Sequence, residues 1–296
     1  MKEKVKVFFA SIGYLLLAAA IQLVVTIVAG IGLGFYYVIK QAVEINNGSN
    51  GFNYDVDSFI GFNLSLTNIF ILISSILTIL ALILIYKIRK KNYKEELQIK
   101  KTTNFNIVYA IILGISCWLF NAGVLSLISE VGLFTDEFLN MEQILAPLSS
   151  GSVIMSIITI GIIAPFAEEF LFRGVIYNTL SKKISIKWTI IIQAILFGIY
   201  HGNIIQGSYA TLLGLVFGYV TYKTRSLWPA VIIHMVNNLI ATTFMYVPSS
   251  MFSGILVYVV FVIVGVIGLT VCLLLVKNKN QNNEEIYDFN NLNNLS

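Results

Sequence analysis

Eight apolar runs, separated by short polar or charged stretches, set the pattern of this chain, at about residues 7–38, 59–86, 106–129, 152–180, 186–203, 207–222, 227–246 and 252–276. A helix needs about 20 apolar residues to cross the hydrocarbon core of a bilayer, and each run meets or nearly meets that length. The fifth and sixth are short and separated only by "GNIIQG", so they can be mistaken for one bent hairpin. The predicted fold is all-α, a polytopic membrane protein of about eight transmembrane helices. Residues 1–150 make an N-terminal three-span region with loops, 151–246 a core of spans four to seven, and 247–276 the final span. The asparagine-rich tail, 277–296, lacks apolar content and is expected to be disordered.

Composition supports this reading. The chain is 57% hydrophobic and 11% charged, with a mean hydropathy of +0.83, whereas soluble domains carry about 25% charged residues. The N-terminus opens like a signal peptide, but its apolar run continues to about Val38, well past an h-region of about 7–15 residues; it is expected to be a retained first span. Cys117 and Cys272 fall in apolar runs with no CxxC spacing, which predicts buried small hydrophobes.

Net charge is +4, yet the basic residues sit in clusters between runs. Lys2, Lys4 and Lys6 precede the first, and Lys87 to Lys101 follow the second. Lys182, Lys183 and Lys187 follow the fourth, Lys223 and Arg225 the sixth, and Lys277 and Lys279 the eighth. With eight spans all of these fall on one side, and the acidic Glu44, Asp55, Asp57, Glu130, Asp136, Glu137 and Glu142 fall on the other. By the positive-inside rule this predicts a multi-pass protein of the cell membrane with both termini cytoplasmic. Membrane lipid is the expected partner, and nucleic acid is not.

Within the runs, ionisable residues are few and gathered. Of fifteen acidic residues only Glu168 and Glu169 lie inside an apolar run, and of nineteen basic ones only Arg173 does. Both histidines, His201 and His234, also lie in runs. Intramembrane ionisable groups are expensive and mark functional sites by default. Glu169 and Arg173, four apart on a helix, lie within about 40° of each other and can pair. Glu168 points about 100° away from that pair, a carboxylate with no local partner, as a general base or acid requires. "FGIYH" places Phe197 and His201 on one face, and "HMVNN" does the same for His234 and Asn238, with Asn237 directed elsewhere. At about 1.5 Å per residue, the depths of Glu168, His201, His234 and Asn238 are compatible with one shared site. Gly214 and Gly218 form a GxxxG that lets another backbone approach, and Pro165 opens a kink before the glutamates. Tyr177, Tyr200, Tyr219 and Tyr222 are expected in the interfacial belt. Asn63, Asn68 and Asn121 are expected to hydrogen-bond between helices. The zincin H-E-x-x-H and the G-x-S-x-G elbow are absent.

E-E-x-x-x-R in "EEFLFR", F-x-x-x-H in "FGIYH" and H-x-x-x-N in "HMVNN" occur in order across the fourth to seventh runs. Together they resemble the CPBP family of intramembrane proteases, which includes the CAAX prenyl endopeptidases and the bacterial Abi proteins linked to bacteriocin self-immunity. The resemblance covers about residues 150–245, with no departure at the motif positions. It implies an endopeptidase opening toward the cytoplasm, in which Glu168 and His201 activate water while His234 and Asn238 stabilise the oxyanion. The implied substrate is a membrane-associated or lipidated peptide or protein, with bacteriocin or peptide-pheromone processing, or self-immunity, as the biological setting. No cofactor is expected; the alternative is a divalent metal such as zinc held by Glu168, His201 and His234. Two other functions stay open: a non-proteolytic immunity or binding protein on the same scaffold, and a proton-coupled transporter, although no internal repeat of the kind many transporters carry is detected.

Overall fold

The computed structural model describes residues 2–46 and 56–293; the loop that holds Asp55 lies outside the described residues, as do 294–296. The fold is all-α. Among the described residues seven helices are long and apolar enough to cross a membrane. They are α1 (Lys2–Asn46), α3 (Thr67–Ile88), α5 (Asn104–Glu130), α7 (Val153–Ser181), α9 (Ile204–Thr224), α10 (Leu227–Phe244) and α11 (Ile255–Asn293). Four shorter α-helices, α2 (Val56–Ser65), α4 (Tyr93–Glu96), α6 (Thr135–Ser149) and α8 (Ile186–Tyr200), and a 3-10 turn, Ser249–Phe252, complete the order among the described residues. The fifth apolar run is thus α8, whose 15 residues fall short of a full span because the chain turns at His201 and Gly202. Gly202, at φ +74°, takes the left-handed conformation that this turn demands. The asparagine-rich tail, expected to be disordered, carries helix to Asn293: neither proline nor glycine interrupts the chain beyond Val276.

Helix starts follow from capping side chains. Thr103 accepts from the Asn106 amide at 3.2 Å, Asn203 from Gln206 at 2.8 Å, and Ser226 from Trp228 at 3.4 Å, each satisfying an otherwise orphaned donor. Small residues then set which helices touch, because in lipid close packing replaces the hydrophobic drive. A Cβ on Gly214 would lie 2.8 Å from the Ala194 Cα, and one on Gly207 2.9 Å from the Gly198 carbonyl. The α8–α9 hairpin therefore closes backbone to backbone. Gly114 meets α10 at Ile233 and Val236, while Gly123 meets α11 at Tyr258 and Val262. The core lies among α3, α5 and α7–α10, joined by Tyr14 and Ala18 of α1 and Cys272 and Val276 of α11, while other apolar residues of α1 and α11 (Val24, Val28, Val260, Ile263) stay exposed as lipid-facing surface.

Two features of the polar segments matter later. The stretch between α3 and α5 lies across the ends of α7 and α10. Leu97 is fully buried there, Gln98 Nε2 donates to Asn178 Oδ1 at 2.7 Å, Leu227 N–H donates to the Gln98 carbonyl at 3.0 Å, and Ser226 Oγ donates to the Lys100 carbonyl at 2.9 Å. Lys182 pairs with Glu96 at 2.5 Å and holds its carboxyl below the usual carboxylate range. Second, α7 is not uniform: wider π turns at Ile157–Ile163 and Phe170–Ile176 flank an α segment, Ala164–Glu169.

Candidate active site

The local structure of α7 creates the site. In the first π segment the Ala164 N–H reaches back five residues to the Thr159 carbonyl. The next bond in that series would come from residue 165, but Pro165 has no N–H to give. The Ile160 carbonyl is left to other donors, and Asn238 Nδ2 of α10 fills the gap at 3.2 Å. The kink signal at Pro165 is thus realised as a π turn that ties α7 to α10. Asn238 Oδ1 in turn accepts from Asn237 Nδ2 at 3.0 Å. Both ends of the Asn238 amide are fixed, and its second N–H remains for a ligand.

Glu169 and Arg173 pair at 2.8 Å with both side chains fully buried. The guanidinium lies among the rings of Phe197, Phe217 and Phe172, at 4.4, 5.0 and 5.9 Å from their centroids, a favourable cation–π setting once water is excluded. Glu169 does more than neutralise Arg173. Its Oε1 also accepts from His234 Nδ1 at 2.8 Å. A carboxylate only accepts, so Nδ1 carries the proton and Nε2 is the nitrogen that faces further chemistry. Nε2 lies 3.9 Å from Glu168 Oε2, beyond hydrogen-bond reach. That oxygen is buried and has no partner among the described residues.

His201 caps the end of α8, where its Nδ1 bonds the Phe197 carbonyl at 2.8 Å. The same reasoning assigns the proton to Nδ1 and leaves Nε2 as the acceptor. Glu168, His201 and Asn238 line one cavity of about 540 Å³, within the usual range of about 300–1,000 Å³ for small-ligand sites. His234 stands behind Glu168, 3% exposed and packed on Phe197 and Phe217. The four sequence-derived residues therefore converge. Among the described residues no group of three His, Cys, Asp or Glu side chains stands together as a metal site.

Residues 150–240 match the model of the family described as Type II CAAX prenyl endopeptidase Rce1-like. Over these residues the chain resembles a CAAX-protease-like family. The CAAX-protease-like segment contains Glu168, Glu169, Arg173, His201, His234 and Asn238, all six of the positions discussed above. Over 141 residues, 47% of this chain, it is 28% identical to the protein named "Putative membrane peptidase YdiL" of Bacillus subtilis (strain 168). That match spans 56% of the relative's length. No solved structure matches at a significant level.

Several neighbours were not legible as site residues. Tyr200 lines the cavity instead of joining an interfacial belt, and its hydroxyl lies 3.4 Å from Gln22 Oε1. Tyr177 is 2% exposed and is also no belt residue. Asn68 does bond between helices, to the Leu148 carbonyl at 3.0 Å and Ser156 Oγ at 2.9 Å, whereas Asn63 lines the cavity. Gln22 and Asn237 had a visible signal: each is an amide inside an apolar run.

Proposed function

We propose that this protein is an intramembrane endopeptidase that hydrolyses a peptide bond in a membrane-associated peptide or protein. The observation that carries the reading is the meeting of Glu168, His201 and Asn238 on one cavity, with His234 Nε2 3.9 Å from Glu168 Oε2. A single water oxygen fits against Glu168 Oε2, and His201 Nε2 supplies a second acceptor for its protons. Attack on the carbonyl carbon moves one water proton to Glu168 and puts negative charge on the carbonyl oxygen. The free N–H of Asn238 and a protonated His234 Nε2 are the donors for that charge. Collapse of the tetrahedral species breaks the C–N bond, and the proton held by Glu168 passes to the leaving amine. Each group acts in a site where fixed donors count for more than in water.

The cavity is proposed to open toward the cytoplasm, with both termini on that side, on the strength of the basic clusters and with the short α8 counted with α9 as a crossing hairpin. The buried, partnerless Glu168 Oε2 is the chemical centre, and no step calls for a metal. Glu168→Gln tests the reading: the variant accumulates in the membrane as wild type does and cleaves nothing, read by comparing the peptides of membranes that carry each form. Full activity in Glu168→Gln would remove Glu168 as the base.

A further inference from the structure

The cavity has a second wall, and it comes from the N-terminal spans, outside the CAAX-protease-like segment. On α1 the lining positions are Ala18, Gln22, Thr26 and Gly30, spaced every fourth residue along one stripe; α3 contributes Ser74, Ser75 and Thr78 among others. These helices are otherwise apolar, and α1 buries little of itself. Polar groups on such helices have a common inert explanation, which is bonding to a carbonyl one turn back. Thr26 does this with the Gln22 carbonyl at 2.9 Å, and Ser74 does it with Ile71 at 3.0 Å. Ser75 and Thr78 do not: their hydroxyls make no hydrogen bond among the described residues. Gln22 uses only Oε1, toward Tyr200, and keeps both amide N–H donors. That contact also fixes the level of Gln22, because Tyr200 is the immediate neighbour of His201.

We infer that Gln22, Ser75 and Thr78 bind the main chain of the substrate in an extended conformation alongside Glu168. The inference rests on the proteolytic reading and assigns its binding residues. A bond inside a helix is poorly accessible to water, so the scissile segment must unwind. In the membrane every N–H and C=O it releases must find a partner, and an apolar wall offers none. Spacing favours an extended strand over a helix as the occupant. Four residues along α1 rise about 6 Å, and two residues of an extended chain rise about 6.6–6.8 Å. The period-four stripe of α1 therefore meets the same edge of an extended peptide at every second residue, with Ser75 and Thr78 of α3 facing it. Recognition through the main chain makes such a wall tolerant of side-chain sequence.

The test uses purified full-length protein in liposomes and a randomised pool of internally quenched decapeptides, from which the best-cleaved peptide is taken for steady-state kinetics. Gln22→Leu, Ser75→Ala and Thr78→Val each remove a polar group at small change in shape and suit a membrane span. Each should raise KM about 3–10-fold, the weight of one net hydrogen bond, with kcat held within about twofold. Thr78→Ser restores the hydroxyl and should restore KM. Val24→Ala, on the lipid-facing side of α1, should change neither constant. Wild-type cleavage with unchanged KM in all three variants overturns the inference and leaves the proteolytic reading standing. Absence of any wild-type cleavage that Glu168→Gln abolishes removes both.

Discussion

Glu169 Oε1 holds two donors at 2.8 Å, Arg173 Nη1 from one turn along its own helix and His234 Nδ1 from another. The structural ion pair and the proposed catalytic histidine therefore share one oxygen atom. Fold stability and histidine orientation are coupled through it.

That coupling gives the first prediction. Glu169→Leu strands a buried guanidinium and should cost about 3–5 kcal/mol, seen as a large fall in the melting temperature in detergent. Arg173→Met in addition removes the stranded charge and should recover much of the loss. Turnover should stay low in the double variant, because His234 Nδ1 still has no carboxylate. Recovery of activity along with stability would limit Glu169 to neutralising Arg173.

A second prediction concerns Asn238. Removal of one preorganised oxyanion donor typically costs about 10²–10³ in turnover, so Asn238→Ala should lower kcat by roughly that factor with KM nearly constant. Asn238→Asp should do more harm, since it sets an acceptor against the Ile160 carbonyl, which is itself an acceptor. Single-turnover cleavage separates these effects. Weakened binding at constant turnover would move Asn238 to substrate positioning.

The i, i+4 spacing made the Glu169–Arg173 contact legible, because both groups ride on one helix. The His234–Glu169 bond, across 65 positions, was not, since a helical wheel gives directions within a helix and never the rotation of one helix against another. The i, i+4 spacing puts Asn238 on the face of His234, yet its partner is a main-chain carbonyl, and side-chain patterns do not mark carbonyls. Pro165 did mark it indirectly, as the residue whose missing N–H frees Ile160. Hydropathy counts apolar residues and not turns, so it extended the fifth run through the bend that closes α8 at Tyr200.

A third prediction addresses metal. Protein stripped with a strong chelator should keep its activity, and added zinc should not raise it. Loss on stripping, with recovery at one zinc per chain, would require Glu168, His201 and His234 to regroup around an ion.

The fourth prediction is topological. Both native cysteines are buried, so new ones report cleanly. An impermeant maleimide added outside the cell should label Asp136→Cys and not Lys94→Cys. The reverse would invert the orientation proposed from the basic clusters.

A fifth prediction follows from Glu96. Its carboxyl is held low by Lys182, so the bridge contributes above the ordinary carboxylate value and is lost as pH falls through the depressed one. Acid should therefore speed tryptic cutting in 90–101, and Glu96→Gln should reproduce that sensitivity at neutral pH. The effect should be small, because exposed bridges contribute little and Leu97 stays buried.

The segment between α3 and α5 has one more consequence, in the order of synthesis. Its anchors arrive late: Asn178 comes 80 residues after Gln98, and Ser226 comes 126 after Lys100. A nascent chain that has inserted its first three spans therefore carries a basic, lysine-rich loop with nothing to grip. Only when α7 and α10 are in place does the loop find Asn178, Lys182, Ser226 and Leu227. Chains halted before that point lack these anchors and leave Leu97 uncovered, so this short strap serves as a molecular receipt for completed assembly.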